Sequence, residues 1–446
     1  MDINIKELQE KFIALIRRGE TLKSEFKLGI EIEHIIVKED TLESVNYYEA
    51  NGIQDILKAL LPQGYEAIYE ETYLIGLKHP DFVITLEPGG QLEVSLNARR
   101  DLTEIYESYW AFLEQILPIL GDNGLWLLAI GYHPKSSIKD IPFNPKKRYQ
   151  HMSAYLGKTG RYAHHMMKGT ASMQIVIDYQ DEADFIRKFR VAHFLMPFLA
   201  LLSDNAPYFE GQLSTQHSIR TAIWDEMDPE RSGLIPGALD GTFGYRDYAN
   251  YLLGIRPILI QKENQLINSG DTVIQDLERL SNFSDAETDH LMSMVFPDVR
   301  VRSYIEIRMA DSLPLPLSFG FAALVKNLFY HESALSTLYQ RSLSMNDAQL
   351  VQLRQDMQRE GYEAAFEGTS IQRLLREMLQ LAKEDSTPQE RLWIEPLESM
   401  VSQKETAAMI TKRRMETDGH EANSKKALEW CAAHTWKKEM SPWPKP

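Results

Sequence analysis

The chain has 446 residues, 43% of them hydrophobic and 25% charged, enough for a sizeable core in one large domain or two ordinary ones. A formal net charge of −16 argues against general nucleic-acid binding, which needs a surplus of Lys and Arg to neutralise phosphates. The single cysteine, Cys431, rules out an intramolecular disulfide and a cysteine-built zinc site, and fits a reducing compartment.

Met1 to Lys6 show no basic-then-apolar signal pattern. Residues 5–19 carry helically spaced Ile5, Leu8, Phe12, Leu15 and Ile16, and 29–37 read as a strand with Glu31 and Glu33 on one face. Helical spacing returns near 51–61. Residues 82–86 and 91–96 alternate as two adjacent strands, joined by Pro88-Gly89-Gly90, where proline cannot feed a ladder and glycines permit positive φ. That hairpin brings Glu87 and Glu93 close together. A long helix follows over 101–121, ended by Gly121, then a buried strand over 125–130.

Residues 131–165 read as loop, including Lys146-Lys147-Arg148-Tyr149 and His164-His165. A strand over 170–179 places Ser172, Gln174, Val176 and Asp178 on one face. The apolar run 191–202, broken by His193 and Pro197, falls short of the ~20 residues that span a bilayer and reads as part of a buried helix over 182–203. The expectation is a soluble, cytoplasmic protein. Residues 204–250 lack periodicity and suggest functional loops. A strand over 301–309 shows Tyr304, Glu306 and Arg308 on one face, and after Pro314-Leu315-Pro316 the chain reads as nearly all helical to its end, with a locally basic tail. The predicted fold class is α+β: a mostly antiparallel sheet with one polar and one apolar face, helices packed on the apolar side.

The polar face is unusual in being dominated by glutamate: Glu31, Glu33, Glu87, Glu93 and Glu306, with Gln174 and Arg308. Pattern alone leaves two readings open, a solvated acidic face or a divalent-metal site. All-oxygen ligands select Mg²⁺ or Mn²⁺ over zinc. Gly157-Lys158-Thr159 is not a P-loop, because Met152 stands where the first glycine is required. The Met166-Met167 pair reads as core packing.

Five blocks, in this order, carry a family resemblance: Gly29-Ile30-Glu31-Ile32-Glu33; Thr85-Leu86-Glu87-Pro88-Gly89-Gly90-Gln91-Leu92-Glu93; Thr170-Ala171-Ser172-Met173-Gln174; Arg220-Thr221-Ala222-Ile223-Trp224-Asp225 through Gly233; and Arg302-Ser303-Tyr304-Ile305-Glu306-Ile307-Arg308-Met309-Ala310-Asp311. As a set they resemble the glutamate–cysteine ligase family of plant and bacterial type, over roughly residues 25–335. The resemblance implies a glutamine synthetase-like fold, a curved antiparallel sheet with helices on its outer face. It implies one catalytic domain over 1–446, with 315–446 mostly helical and packed on the sheet core. It implies two or more Mg²⁺ ions and ATP as cosubstrate, with L-glutamate and L-cysteine joined through γ-glutamyl phosphate in the first step of glutathione-type thiol biosynthesis.

By the same resemblance Glu33, Glu87 and Glu93 would hold the Mg²⁺ nearest the amino acid, and Glu31, Gln174 and Glu306 the Mg²⁺ bridging the ATP phosphates. Arg308 would contact the γ-phosphoryl group as the catalytic arginine. Arg220 and Trp224 would line the substrate pocket, with Arg148 a second carboxylate contact; a core tryptophan and a surface charge stay open as alternatives for the last two. Partners would be these small molecules, with no nucleic acid or membrane, in a monomer or homodimer. Two departures stand out. Val176 replaces the family's usual asparagine, and Val94-Ser95-Leu96-Asn97-Ala98 replaces Leu-Ser-Gly-Ala-Pro, a change expected beside the substrate. The alternatives to cysteine ligation are another amine acceptor, or a catalytically silent binding relative.

Overall fold

Alternation of Ile30 and Ile32 with Glu31 and Glu33 makes β1 (Leu28–Lys38) a two-faced strand, and it lies in the middle of the main sheet. The structure, a computed structural model, describes residues 3–262, 265–268, 271–277, 283–315, 317–417 and 424–438. The other strands are β2 (Glu66–Glu70), β3 (Tyr73–Lys78), β4 (Phe82–Leu86), β5 (Leu92–Arg99), β6 (Leu125–Leu128), β7 (Ser172–Ile177), β8 (Val299–Val301) and β9 (Ile305–Asp311). Their order is β8-β9-β7-β1-β5-β4-β3-β2, and β6 pairs with the far end of β1. Every neighbouring pair is antiparallel.

One face is apolar. Ile307, Ile175, Ile30, Leu96 and Phe82 form a row across five strands, each buried. Burying each such side chain stabilises the fold by ~1.5–3 kcal/mol. Along the chain α1 (Ile3–Arg17) and α2 (Ile53–Leu60) precede α3 (Leu102–Asp122), which with α6 (Glu182–Leu202) and α10 (Leu317–Tyr330) packs on this face; α9 (Asp285–Met292) and α11 (Glu332–Ser342) come before and after α10 in the chain. Further helices from the C-terminal third stack on α10, and one continuous core cluster runs from Leu8 to Ala433. No helix among the described residues is long and apolar enough to cross a membrane.

Several sequence expectations need correction. The helix expected to stop at Gly121 reaches Asp122, and the chain turns at Gly124. Residues 131–165 are not all loop: they include α4 (Lys147–Thr159) and the start of α5 (Ala163–Gly169). In α4 only Tyr149, Met152 and Leu156 are buried, too sparse a stripe to stand out beside four basic residues. Residues 204–250 hold α7 (Ile219–Asp225) and most of α8 (Tyr245–Leu253). The strand expected over 301–309 is a hairpin, β8 turning at 302–304 into β9. Helices are thus not confined to the apolar side, because α4, α5 and α7 cover the polar face. Pro316 and the tail from 439 to 446 lie outside the described residues.

Candidate active site

Strand register assembles the polar face in three rows. Thr85, Glu93 and Glu33 lie side by side across β4, β5 and β1. The next row is Val83, Ser95, Glu31 and Gln174, and the third is Gly29, Val176, Glu306 and Arg300. Two like charges directly opposite, as in Glu33 and Glu93, destabilise a sheet unless something offsets them. Gly29 is explained by its partner: a Cβ there would sit 2.5 Å from Val176 Cγ2. Val176 is half-buried, so Val176→Asn is expected to fold with a loss of about 1 kcal/mol or less, read by thermal unfolding. A chain that no longer folds would place Val176 in packed core instead.

Glu87 reaches the same place through the hairpin between β4 and β5. The Glu87 backbone N–H donates to Gln91 O (2.9 Å) and Gly90 N–H to Glu87 O (2.8 Å), closing a three-residue loop with Gly90 at φ 89°. The neighbouring Gly89 serves a different need: its Cβ would lie 2.6 Å from Lys168 O. Gln91 ties the turn to α5, accepting from Gly89 N–H (2.8 Å) and donating to the carbonyls of Met167 and Thr170.

β9 carries a bulge: Ile307 faces Ile175, but Ala310 faces Met173, so one extra residue falls at 308–309. The carbonyls of Arg308 and Met309 instead accept from Arg220 Nη1 of α7, both at 3.2 Å. Arg308 N–H donates to Asp298 O. The Arg308 guanidinium turns onto the polar face, where it bonds Gln174 Oε1 and lies 3.4 Å from Glu306.

Together these elements enclose a cavity of about 250 Å³. Glu31, Glu33, Glu87, Glu93 and Gln174 line it from the sheet and the hairpin; Arg148, Arg220, Arg300, Arg302 and Arg308 surround them. Tyr149, Met152, Met166, Met167, Trp224 and Phe296 supply an apolar wall, where most of them also pack on one another. Among the described residues Arg220 Nε and Trp224 Nε1 are buried donors without an acceptor. Arg148 is exposed at the rim.

The carboxylates are electrostatically stressed. Burial, then the charges of Glu93 and Glu306, push Glu31 up to about 8; burial, then Glu93 and Glu33, push Glu87 up to about 8. Glu33 is raised as well, by burial and then Glu93, although Ser172 donates to it from N–H (2.7 Å) and Oγ (2.8 Å). Glu93 accepts from Thr85 Oγ1 (2.8 Å) and Ser95 Oγ (3.2 Å).

Glu306 differs. It does not line the cavity, and it ion-pairs with Arg300 and Arg308. Burial alone would raise it, but those guanidiniums more than offset that and hold it below the usual carboxylate range. The two three-residue metal sets therefore do not appear as closed shells. Among the described residues no three His, Cys, Asp or Glu side chains are grouped to hold an ion by themselves. Glu306 and Gln174 are held by arginines, which leaves Glu31 alone of its set without a side-chain partner among the described residues. The donors nonetheless fit Mg²⁺, which takes one or two carboxylates and completes its shell with water and substrate phosphates. Raised, oxygen-only carboxylates at one cavity have the chemistry for that.

The sequence profile described as glutamate–cysteine ligase family 2 matches residues 27–426. The chain belongs to that family. It is 30% identical over 385 residues to glutamate–cysteine ligase B, chloroplastic, of Oryza sativa subsp. japonica, covering 84% of this chain and 77% of the relative. To the chloroplastic glutamate–cysteine ligase of Arabidopsis thaliana it is 30% identical over 386 residues, covering 84% and 73%. The solved glutamate–cysteine ligase of Francisella tularensis, in complex with AMP, matches with TM-score 0.55 at 13% identity over 92% of this chain and 88% of that one. This last likeness concerns the fold alone. The α+β, glutamine synthetase-like fold expected from the sequence is the one found, and the chain is a ligase.

Some residues of the ligase's cavity went unnoticed in the sequence. Arg300 precedes the last family block by two positions, and its signal was its place opposite Glu306 once β8 and β9 are known to pair. Arg302 was inside that block but read as strand rather than turn. In the departure at 94–98, none of Val94, Ser95, Leu96, Asn97 and Ala98 lines the cavity and Leu96 points into the core, but Ser95 borders the cavity, donating to Glu93.

Proposed function

We propose that this ligase uses ATP to join the γ-carboxylate of L-glutamate to the amino group of L-cysteine, forming γ-glutamylcysteine. The observation that carries the reading is one cavity in which four glutamates meet five arginines, a setting for anionic substrates that travel with a divalent cation. Glu31, Glu33, Glu87 and Glu93 are the residues that would hold Mg²⁺, while Gln174 and Glu306 are engaged by Arg308 and Arg300. When bound, Mg²⁺ supplies charge neutralisation between the ATP phosphates and the attacking carboxylate.

The chain's own residues do the rest. Arg220 Nε and Trp224 Nε1, buried donors without acceptors, suit the α-carboxylate of an amino acid, and Arg148 at the rim a second carboxylate. The γ-carboxylate attacks the γ-phosphorus of ATP in line and ADP leaves, giving γ-glutamyl phosphate. Arg308, fixed by Gln174 and Glu306, faces the charge spread over the phosphoryl oxygens as it moves. The amine then attacks the acyl carbon, losing a proton and expelling inorganic phosphate. Tyr149, Met152, Met166 and Met167 keep water from the acyl phosphate.

Residues 94–98 do not line the cavity, but Ser95 donates to Glu93 beside it, and another amine acceptor stays the second reading. The deciding measurement is phosphate release from ATP, with glutamate and a panel of amines, and with the product identified by mass. L-Cysteine is expected to react fastest. Cysteine failing where another amine reacts would overturn the acceptor, and no glutamate-dependent release with any amine would leave a silent binding relative.

A further inference from the structure

Helix α12 (Asp347–Glu360) belongs to the C-terminal helical region that the sequence left without a role, yet it reaches the back of the site. Its Arg354 is buried and forks between two carboxylates. Nε and Nη2 take Asp225 at 3.2 and 2.6 Å, and Nη1 ion-pairs with Asp298. Gln358, one turn on, donates to Asp225 Oδ2 (2.8 Å) and accepts from His217 N–H (3.1 Å). Asp225 ends α7 directly after Trp224, and His217 precedes its first turn. Asp298 in turn accepts the Arg308 N–H on its carbonyl (2.9 Å). A single guanidinium thus joins the helix bearing Arg220 and Trp224 to the strand pair bearing Arg308, while α12 straps that helix at both ends.

We propose that Arg354 is a positioning residue that sets α7, and with it Arg220 and Trp224, against the bulge of β9. A buried guanidinium between two carboxylates has a fixed planar geometry that neither a lysine nor an apolar side chain reproduces. Seven-residue α7 is too short to hold its own place, since isolated helices under ~12–15 residues are marginal in water. The clamp supplies orientation that local helix propensity cannot. The substrate consequence rests on the proposed function, in which Arg220 and Trp224 receive the glutamate carboxylate.

The test uses the full chain carrying Arg354→Met, with Arg354→Lys and Asp225→Asn beside it, the last keeping the test open should the first not fold. Amide hydrogen exchange without substrates is read at residues 219–225, along with thermal unfolding and separate KM values for L-glutamate and ATP. Exchange at 219–225 is expected to rise about tenfold against little change in α3, and KM for glutamate to rise about tenfold while KM for ATP stays within about twofold. Lysine is expected not to restore either, because it cannot engage both carboxylates in the fork. Unchanged local exchange, a rise spread evenly over the protein, equal shifts in both KM values, or full rescue by lysine would each overturn the clamp. Failure of the substrate reading is distinguishable: wild type would then show no glutamate-dependent phosphate release, and the exchange data would still decide whether Arg354 holds α7.

Discussion

Replacing Arg308 with alanine is expected to lower kcat by roughly 10²–10³-fold, about 3–4 kcal/mol of transition-state stabilisation, the usual cost of removing one preorganised donor from developing charge. Arg308 lines the cavity on the bulge of β9, and its guanidinium is fixed by Gln174 Oε1 and by Glu306 at 3.4 Å. Because the donor is already fixed, little reorganisation accompanies the reaction, and the loss should fall on kcat more than on KM for glutamate. Arg308→Lys is expected to recover little, since a single ammonium cannot bridge the amide and the carboxylate. Glu306→Gln should behave differently from a simple ligand deletion. Glu306 is 5% exposed between the half-buried Arg300 and Arg308, so its loss removes the ion-pair partner of both and should destabilise the fold by about 3 kcal/mol. Steady-state kinetics and thermal unfolding of both variants separate the cases. Turnover within tenfold of wild type in Arg308→Ala would remove that residue from charge stabilisation at the phosphoryl group.

The difference between these two variants marks where sequence reading stops. Alternation made β1, the hairpin of β4 and β5, and β7 legible, because their side chains face either a packed core or a polar cavity and period two records that choice. The Pro88-Gly89-Gly90 turn was legible for a similar reason, although the two glycines serve different ends, one a positive φ and the other a close approach of Lys168. Glu306 looked equivalent to the other glutamates, since nothing local says that Arg300 lies across from it. That pairing exists only because residues 302–304 turn, which alternation alone does not reveal. The bulge at 308–309 is equally silent in one dimension. It turns Arg220 into a residue that caps two carbonyls, a task that its motif does not record. Helices α4, α5 and α7 were harder still. They bury short apolar stripes against the cavity's own wall, which leaves few of the repeats that make a helix visible.

Stability without divalent cation is expected to change little between pH 4.5 and 6.5 and to decline from there toward pH 8, with Mg²⁺ removing most of that decline. Glu31 and Glu87 are pushed up to about 8, and Asp311, by burial and then the charge of Asp204, to about 7. For these groups the folded chain binds more protons than the unfolded one, so their stabilisation is complete below the ordinary carboxylate pKa and is lost as pH rises through the folded values. Burial works in the opposite direction on His34, His133 and His193, lowered to about 4, 3 and 4. Their contribution is present above the ordinary value of 6.5 and is lost as pH falls below it. Between pH 4.5 and 6.5 the two sets oppose; above 6.5 the carboxylates act alone. Each unmatched proton is worth about 1.4 kcal/mol per pH unit at most, less where water reaches the half-buried Glu31 and Glu87. Mg²⁺ requires the deprotonated carboxylates, so it should bind more tightly at pH 8 than at pH 6 and release protons as it does. Asp311 does not line the cavity, so its share of the decline should survive with Mg²⁺ present. Melting temperature measured across pH 5–9, with chelator and with Mg²⁺, reads all of this, and Glu87→Gln should flatten the chelator curve. A decline that Mg²⁺ leaves untouched would mean that these glutamates do not share a cation, and the charge logic of the whole cavity would have to be rebuilt around its arginines.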